Sequence, residues 1–368
     1  MKCIIGKVSG RVMKISRYIK AVLLAVATAG WGSLLAGCTD RAEIPHGTER
    51  GEDVPFRVAS LTRAGGDGST DPLDGMTLRL FLASGDPAEI QSGSVSYGGT
   101  ADGSQIWQSA ISVKLHTDYK IFGFMPAGAV ATSSVEGTAG TTPQLTLNGL
   151  DAVSDKDVCA ITGVKSNKDY TGEVTLGMFG YTAELDGSGN LYGVHLLASH
   201  LYAAAELKFK VDAGYSKLRT IKLKKVKLKN TQGKVNGTVR FEVGNSAAPI
   251  TSVTLTSADG AVTVEKTLFD SEEGVTLKTS TTTEATMTGY FAYIPSAVSG
   301  LAIESVYDVY DTNGDKIRED CHAENRLSSH LSGLERGKKK SLTITVNPTY
   351  LYQLTDHDPD TPMAVIGD

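Results

Sequence analysis

The residues with the most defined chemistry in this 368-residue chain are Leu35-Ala36-Gly37-Cys38. They close an apolar run from Ala21 to Leu35 that follows the basic stretch Lys14, Arg17 and Lys20. A charged segment, an apolar segment and then small residues before a cysteine form an export signal that ends in a lipobox. The implied chemistry is covalent. The Cys38 thiol takes a diacylglyceryl group, and cleavage of the Gly37–Cys38 bond leaves Cys38 as the new N-terminus. The run is too short to span a bilayer and contains Gly30 and Gly32. The expectation is a lipoprotein at a bacterial membrane surface, held through lipid on Cys38, whether translation starts at Met1 or at Met13.

No other constellation persuades. The chain has no Gly-x-Ser-x-Gly elbow, His-Glu-x-x-His, Cys-x-x-Cys or P-loop, so an enzyme is not expected, nor a cofactor or metal. Gly187, Gly189 and Gly193 are spaced one residue too long for a dinucleotide loop. Asp311-Thr312-Asn313-Gly314-Asp315 begins like a calcium loop, but Lys316 stands at the glycine position and His322 at the glutamate position. Asn313-Gly314 is instead expected to form a type I′ hairpin turn. His200, alone beside an apolar run, reads as a packed or hydrogen-bonded residue. Cys159 and Cys321 fall in separate predicted domains, and no disulfide is expected between them. Net charge is -5, which argues against nucleic acid. Glycan surfaces favour aromatic platforms, and Trp107 is the one tryptophan beyond the signal.

The elements that would position these residues are strands. Glycine is abundant at 40 residues, aromatics are sparse at 7%, and apolar positions alternate rather than recur at helical spacing. Val54, Phe56 and Val58 predict a first strand that runs on to Leu61-Thr62-Arg63-Ala64, before the loose stretch Gly65 to Ser69. An arginine there is open to a protease. Met76, Leu78, Leu80 and Leu82 predict the next strand, and Gln105 to Leu115 and Tyr119 to Phe124 two more. Glu173–Glu184 and Asn190–Leu197 predict a hairpin around Asp186-Gly187-Ser188-Gly189. Leu207, Phe209 and Val211 point inward on another strand. In Leu218–Lys229 the apolar parity changes between Leu223 and Val226, which predicts a β-bulge at Lys224-Lys225, with the lysines on a solvated face. The tail carries two short apolar pieces, Tyr350 to Leu354 and Met363 to Ile366, around the acidic Asp356-His357-Asp358-Pro359-Asp360.

Three features together resemble one family. They are the lipobox, the mid-chain His200-Leu201-Tyr202-Ala203-Ala204-Ala205-Glu206-Leu207-Lys208-Phe209, and Gly333-Leu334-Glu335-Arg336-Gly337-Lys338 before Leu342-Thr343-Ile344-Thr345-Val346. In their order and spacing from Val54 to Val346 they look like the fimbrillin family, the Mfa-like and major-fimbrillin lipoproteins of type V pili. The resemblance implies an all-β protein of two tandem transthyretin-like β-sandwich domains with Greek-key connections. It divides the chain into a signal peptide (1–37), a tether and removable first strand (38–63), two sandwiches (64–198 and 199–347) and a C-terminal appendage (348–368). It also implies a route: export to the outer membrane as a lipoprotein, cleavage by an arginine-specific protease, and polymerisation by donor-strand exchange into a cell-surface fimbrium active in adhesion. Arg63-Ala64 matches the cleavage position, with Arg41, Arg50 and Arg57 as further arginines in the removable segment. Val54, Phe56 and Val58 belong to the strand removed, and Tyr350, Tyr352, Leu354, Met363 and Val365 to the donor. Partners would be other fimbrial subunits and a host or bacterial surface ligand. A pilus anchor or tip subunit, or a monomeric glycan-binding surface lipoprotein, is the alternative.

Overall fold

The computed structural model describes residues 52–63, 73, 75–86, 88–137, 143–174, 179–241, 250–258, 262–292, 294, 300–331, 334–348 and 366–367. Cys38, Ala64, Tyr350, Tyr352, Leu354, Met363 and Val365 lie outside the described residues. Contacts divide the chain into Met1–Glu49 and Arg50–Asp368, and everything below concerns the second unit. Among the described residues no helix is long and apolar enough to cross a membrane.

The protein is all-β, as its alternating apolar positions predict. Strands are numbered in chain order. The largest sheet runs β2 (Val58–Arg63), β13 (Val194–His200), β11 (Cys159–Ser166), β7 (Asp118–Met125), β3 (Thr77–Ser84), β4 (Glu89–Ala101), β5 (Ser104–Ser109), and β12 (Gly180–Thr182) also pairs with β7. A pair formed by β1 (Asp53–Pro55) and β6 (Ser112–Lys114) lies beside it. Leu78, Leu80 and Leu82 on one parity of β3 are fully buried with Phe56, Val113, Ile121 and Leu196. Phe81 and Ala83 on the other parity join Phe122 and Phe124 against Leu145, Leu147, Val239 and Phe241. This sheet is therefore covered on both faces, which is why β7 reads Tyr-Lys-Ile-Phe-Gly-Phe rather than as a strict alternation.

The covering sheet runs β17 (Ile250–Ser257), β16 (Lys234–Phe241), β9 (Gln144–Asp151), β8 (Thr132–Glu136). A sandwich completes the unit. One layer is β10 (Val153–Ser154), β19 (Thr286–Phe291), β14 (Ala203–Val211), β22 (Lys339–Val346), β23 (Ile366–Gly367), and the other is β18 (Val264–Thr276), β15 (Thr220–Asn230), β20 (Leu301–Tyr310), β21 (Lys316–Arg326). Its core packs Leu207, Phe209 and Val211 with Ile221, Leu223, Val226, Leu228 and Ile344. The expected boundary at 198/199 falls inside β13, just ahead of the turn at Leu201-Tyr202 that leads into β14. Two sheets take strands from both sides of it, because β9 pairs with β16 and β10 with β19.

The parity change in β15 is a bulge. Register shifts between Leu223 and Lys225 against both neighbours, β18 and β20. The extra residue lets Ile221 and Leu223, then Val226 and Leu228, all face the core. The lysines between them meet carboxylates of β18, β20 and β21: Lys225 with Asp270 at 2.6 Å, Lys227 with Glu265 at 3.0 Å, Lys229 with Glu304 at 3.0 Å and Glu324 at 3.1 Å. The hydrogen bond to Glu304, joined by Glu324 and Glu265, holds the Lys229 ammonium well above the usual lysine range. The face that reads as basic in sequence is neutralised by its own sheet.

Three expected elements differ. The predicted hairpin around Asp186 keeps its turn, with Asp186 Oδ1 accepting from Ser188 N at 2.8 Å and Asn190 N at 2.9 Å, and a single bridge between Leu185 and Leu191. Its arms then part: β12 pairs with β7, and β13 with β11 and β2. Gln105 to Leu115 breaks into β5 and β6, leaving Ile106 exposed, because Ile106 and Ile111 fall on opposite parities. The Asn313-Gly314 turn is not type I′, which needs positive φ at both central residues. Gly314 alone has it, at φ 90°, and the Asp311 carboxylate organises a five-residue loop by accepting from Asn313 N and Asp315 N.

Candidate assembly site

The N-terminal strand is the element whose removal the family resemblance would imply. The alternation Val54, Phe56, Val58 predicts one strand, but the chain divides it between two partners. Val54 sits in β1, paired antiparallel with Val113 of β6. Phe56 follows as a linker residue whose N–H donates to Ile111 O at 2.9 Å. Val58 begins β2, which runs parallel to β13 from Val58↔Val194 to Arg63↔Ala198, with a shift between Val194 and His195. That shift explains the spacing of the buried side chains. Phe56, Val58 and Leu61 are 2%, 7% and 3% exposed, so the inward positions fall two and then three residues apart. Phe56 meets Tyr181 edge-on at 5.8 Å between ring centres.

β2 has one strand neighbour, β13. Its other edge faces β5 at the far end of the same sheet, and one side chain closes the gap. Gln105 Oε1 accepts from Leu61 N at 2.7 Å, and Gln105 Nε2 donates to Leu61 O at 3.1 Å. The amide group thus makes the two bonds that a strand residue would make. Trp107 Nε1 donates to the same Oε1 at 3.0 Å and fixes the amide's orientation. A second clamp lies on β13. Ser60 Oγ is 2.7 Å from His195 Nδ1, His195 Nε2 is 2.9 Å from Asn167 Oδ1, and the ring stacks on Tyr170 at 3.5 Å. Burial lowers the His195 pKa below its ordinary 6.5, so the ring stays neutral at physiological pH.

Arg63 is the last residue of β2 and is half-buried. Arg57 is the other arginine of the described segment, and it lies inside the paired region, its N-terminal neighbour Phe56 buried and its carbonyl accepting from Val194 N at 2.9 Å. Backbone held in this way is a poor protease substrate, whereas the end of a strand is a better one. Arg41 and Arg50 lie outside the described residues.

The two interior segments that carry the family resemblance meet in space. Gly337 N donates to Tyr202 O at 2.9 Å, Ala204 N to Lys338 O at 2.9 Å, and Arg336 Nη1 to His200 O at 3.3 Å. Gly337, at φ 72°, approaches His200 so closely that a Cβ added there would sit 3.5 Å from the ring's Cδ2. From there β22 runs parallel to β14. Gln105 and this seam are what reading the sequence missed. A polar residue at the start of a strand carries no signal that it will cap a distant one.

No family model and no curated protein matches the chain. Among solved structures it is similar to a proposed cell adhesion protein from Bacteroides uniformis, at 13% identity and TM-score 0.37, covering 78% of this chain and 92% of that one. A fimbrial protein from Bacteroides vulgatus is similar at 10% identity and TM-score 0.36, over 85% and 99% of the two chains. A further proposed cell adhesion protein, from Bacteroides eggerthii, is 16% identical with TM-score 0.32, over 86% and 96%. Likenesses of this size decide neither fold nor function.

Proposed function

We propose that the protein is a structural subunit of a cell-surface fimbrium of the fimbrillin type, assembled with related subunits by exchange of a strand. The observation that carries this reading is β2. It is the N-terminal strand of its sheet, it ends at an arginine, and it is held by one strand neighbour and one glutamine. Cutting after Arg63 frees 52–63, which takes β1 from β6 and β2 from β13 and leaves every other described pairing intact. It leaves a groove between β13 and β5 that had buried Phe56, Val58 and Leu61. Refilling that groove with a strand from another subunit restores the backbone bonds and about 1.5–3 kcal/mol per apolar side chain. The sequence supplies the rest of the proposal. The subunit reaches the outer membrane through lipid on Cys38, loses that lipid when Arg63–Ala64 is cut, and offers Tyr350, Tyr352 and Leu354, or Met363 and Val365, as donor.

The test is to treat the purified chain with an arginine-specific protease and follow it by mass and electron microscopy. Loss of the segment through Arg63 followed by filaments is expected, with no filaments from Arg63→Gln. Tyr352→Asp with Leu354→Asp should be processed yet stay monomeric. Filaments from that double variant would reject the donor assignment.

One observation favours a second reading, a binding lipoprotein. A cleft of about 650 Å³ opens beside β7 and β12, lined among others by Tyr119, Lys120, Phe122, Lys168, Phe179 and Glu184. Aromatic rings beside charged groups suit a saccharide. Saturable glycan binding by a chain that keeps its acylated Cys38 would favour this reading over the first.

A further inference from the structure

The pairing of β11 with β13 sets Cys159 directly opposite His200, and Asp157 lies two residues before Cys159 on the same side. All three are buried: Cys159 0%, Asp157 1% and His200 8% exposed. Asp157 Oδ2 lies 3.1 Å from Cys159 Sγ and 2.7 Å from His200 Nδ1, and Sγ is 3.7 Å from Nδ1. One donor atom from each residue lies within 4.8 Å of the other two.

We propose that Asp157, Cys159 and His200 form a binding site for a thiophilic divalent cation of the zinc type. Zinc binds cysteine sulfur at about 2.3 Å and histidine nitrogen or carboxylate oxygen at about 2.0–2.2 Å, in a tetrahedron. Those lengths place the donors roughly 3.4–3.6 Å apart. Sulfur and nitrogen, 3.7 Å apart, lie just outside that spacing, and the carboxylate has to withdraw by less than about 1 Å to admit the ion.

Two further observations point the same way. Asp157 Oδ1 is buried with no hydrogen-bond partner, a costly state for a carboxylate oxygen that a cation relieves. Charge also balances: one thiolate and one carboxylate neutralise a dication, so the loaded site carries no net charge into the interior. Binding moves the Cys159 proton to solvent and forms the metal–sulfur bond, with no redox step. Calcium and magnesium prefer all-oxygen ligands, and the thiol selects against them. The site would tie the ends of β11 and β13 together where the chain turns into β14, beneath Arg336 and Gly337. This inference is independent of the fimbrial reading.

The experiment uses the full chain titrated with cobalt(II), followed by zinc competition and metal analysis. One equivalent of cobalt should bind, with a thiolate-to-cobalt charge-transfer band in the near ultraviolet that zinc abolishes. Thermal midpoint should rise with zinc. A variant carrying Cys3→Ser, Cys38→Ser and Cys321→Ser retains Cys159 alone and should keep the band. Asp157→Asn should weaken binding by at least tenfold, and Cys159→Ser should lose the band. Absence of the band in the wild-type chain, or its loss in the triple variant, overturns the proposal.

Discussion

Each end of the described chain adds a strand in parallel to one of two consecutive strands, and the two additions are unlike. At the C-terminal end β22 joins β14 through eight successive pairs, from Ala204↔Lys339 to Val211↔Val346, with no shift. Leu342, Ile344 and Val346 enter the same core as Leu207 and Phe209, and Ile366–Gly367 pairs along the outer edge of β22. At the N-terminal end β2 joins β13 through five pairs with a shift among them, and its outer edge is met by a side chain. β22 is part of the sandwich. β2 completes a sheet that is otherwise already formed. On the proposed reading, the difference shows where exchange is feasible: releasing 52–63 breaks the short β1–β6 and β2–β13 ladders and empties one row of a core, whereas β22 is paired on both edges.

Three perturbations sharpen this contrast. The largest effect is expected from Ile344→Asp, which buries an uncompensated charge in the sandwich. It should abolish the cooperative urea transition, while Leu61→Asp should leave the β14–β22 sandwich protected in hydrogen exchange. Equal collapse of both variants would erase the distinction. Gln105→Leu comes next. It leaves Leu61 N and O without partners at a cost of about 1–3 kcal/mol, read as a lower urea midpoint and faster cleavage after Arg63. An unchanged cleavage rate would show that the amide does not hold β2.

The smallest effect is pH-dependent. His195 has its pKa depressed by burial, so below 6.5 the unfolded chain binds more protons than the folded one. Its contribution to stability is complete above that value and falls as pH drops through it. Exchange of the Ser60–Thr62 amides, corrected for intrinsic rates, should therefore quicken between pH 7.5 and 5.5, and His195→Gln should flatten the response. The β22 amides should show no such change.

Much of the fold was legible because burial follows parity. Leu78, Leu80 and Leu82, the switch from Leu223 to Val226, and Leu207, Phe209 and Val211 each announced a face that the structure fills. Glu89–Ala101 escaped notice because Val95 is its one buried side chain, so a 13-residue strand carries no alternation. The division of Val54–Val58 between β1 and β2 was equally hidden, since a strand that changes partner keeps its own period. The candidate site was less legible still. Gln105 acts on a backbone 44 residues away, and Asp157, Cys159 and His200 become neighbours only through the β11–β13 register.

The measurement that tests the central claim most directly is the N-terminal residue of the protein recovered from the cell surface. If β2 is the strand that leaves, the chain begins at Ala64 and carries no lipid. A chain that still begins at acylated Cys38 in assembled filaments would contradict the account, because β2 would then still occupy the groove that exchange requires.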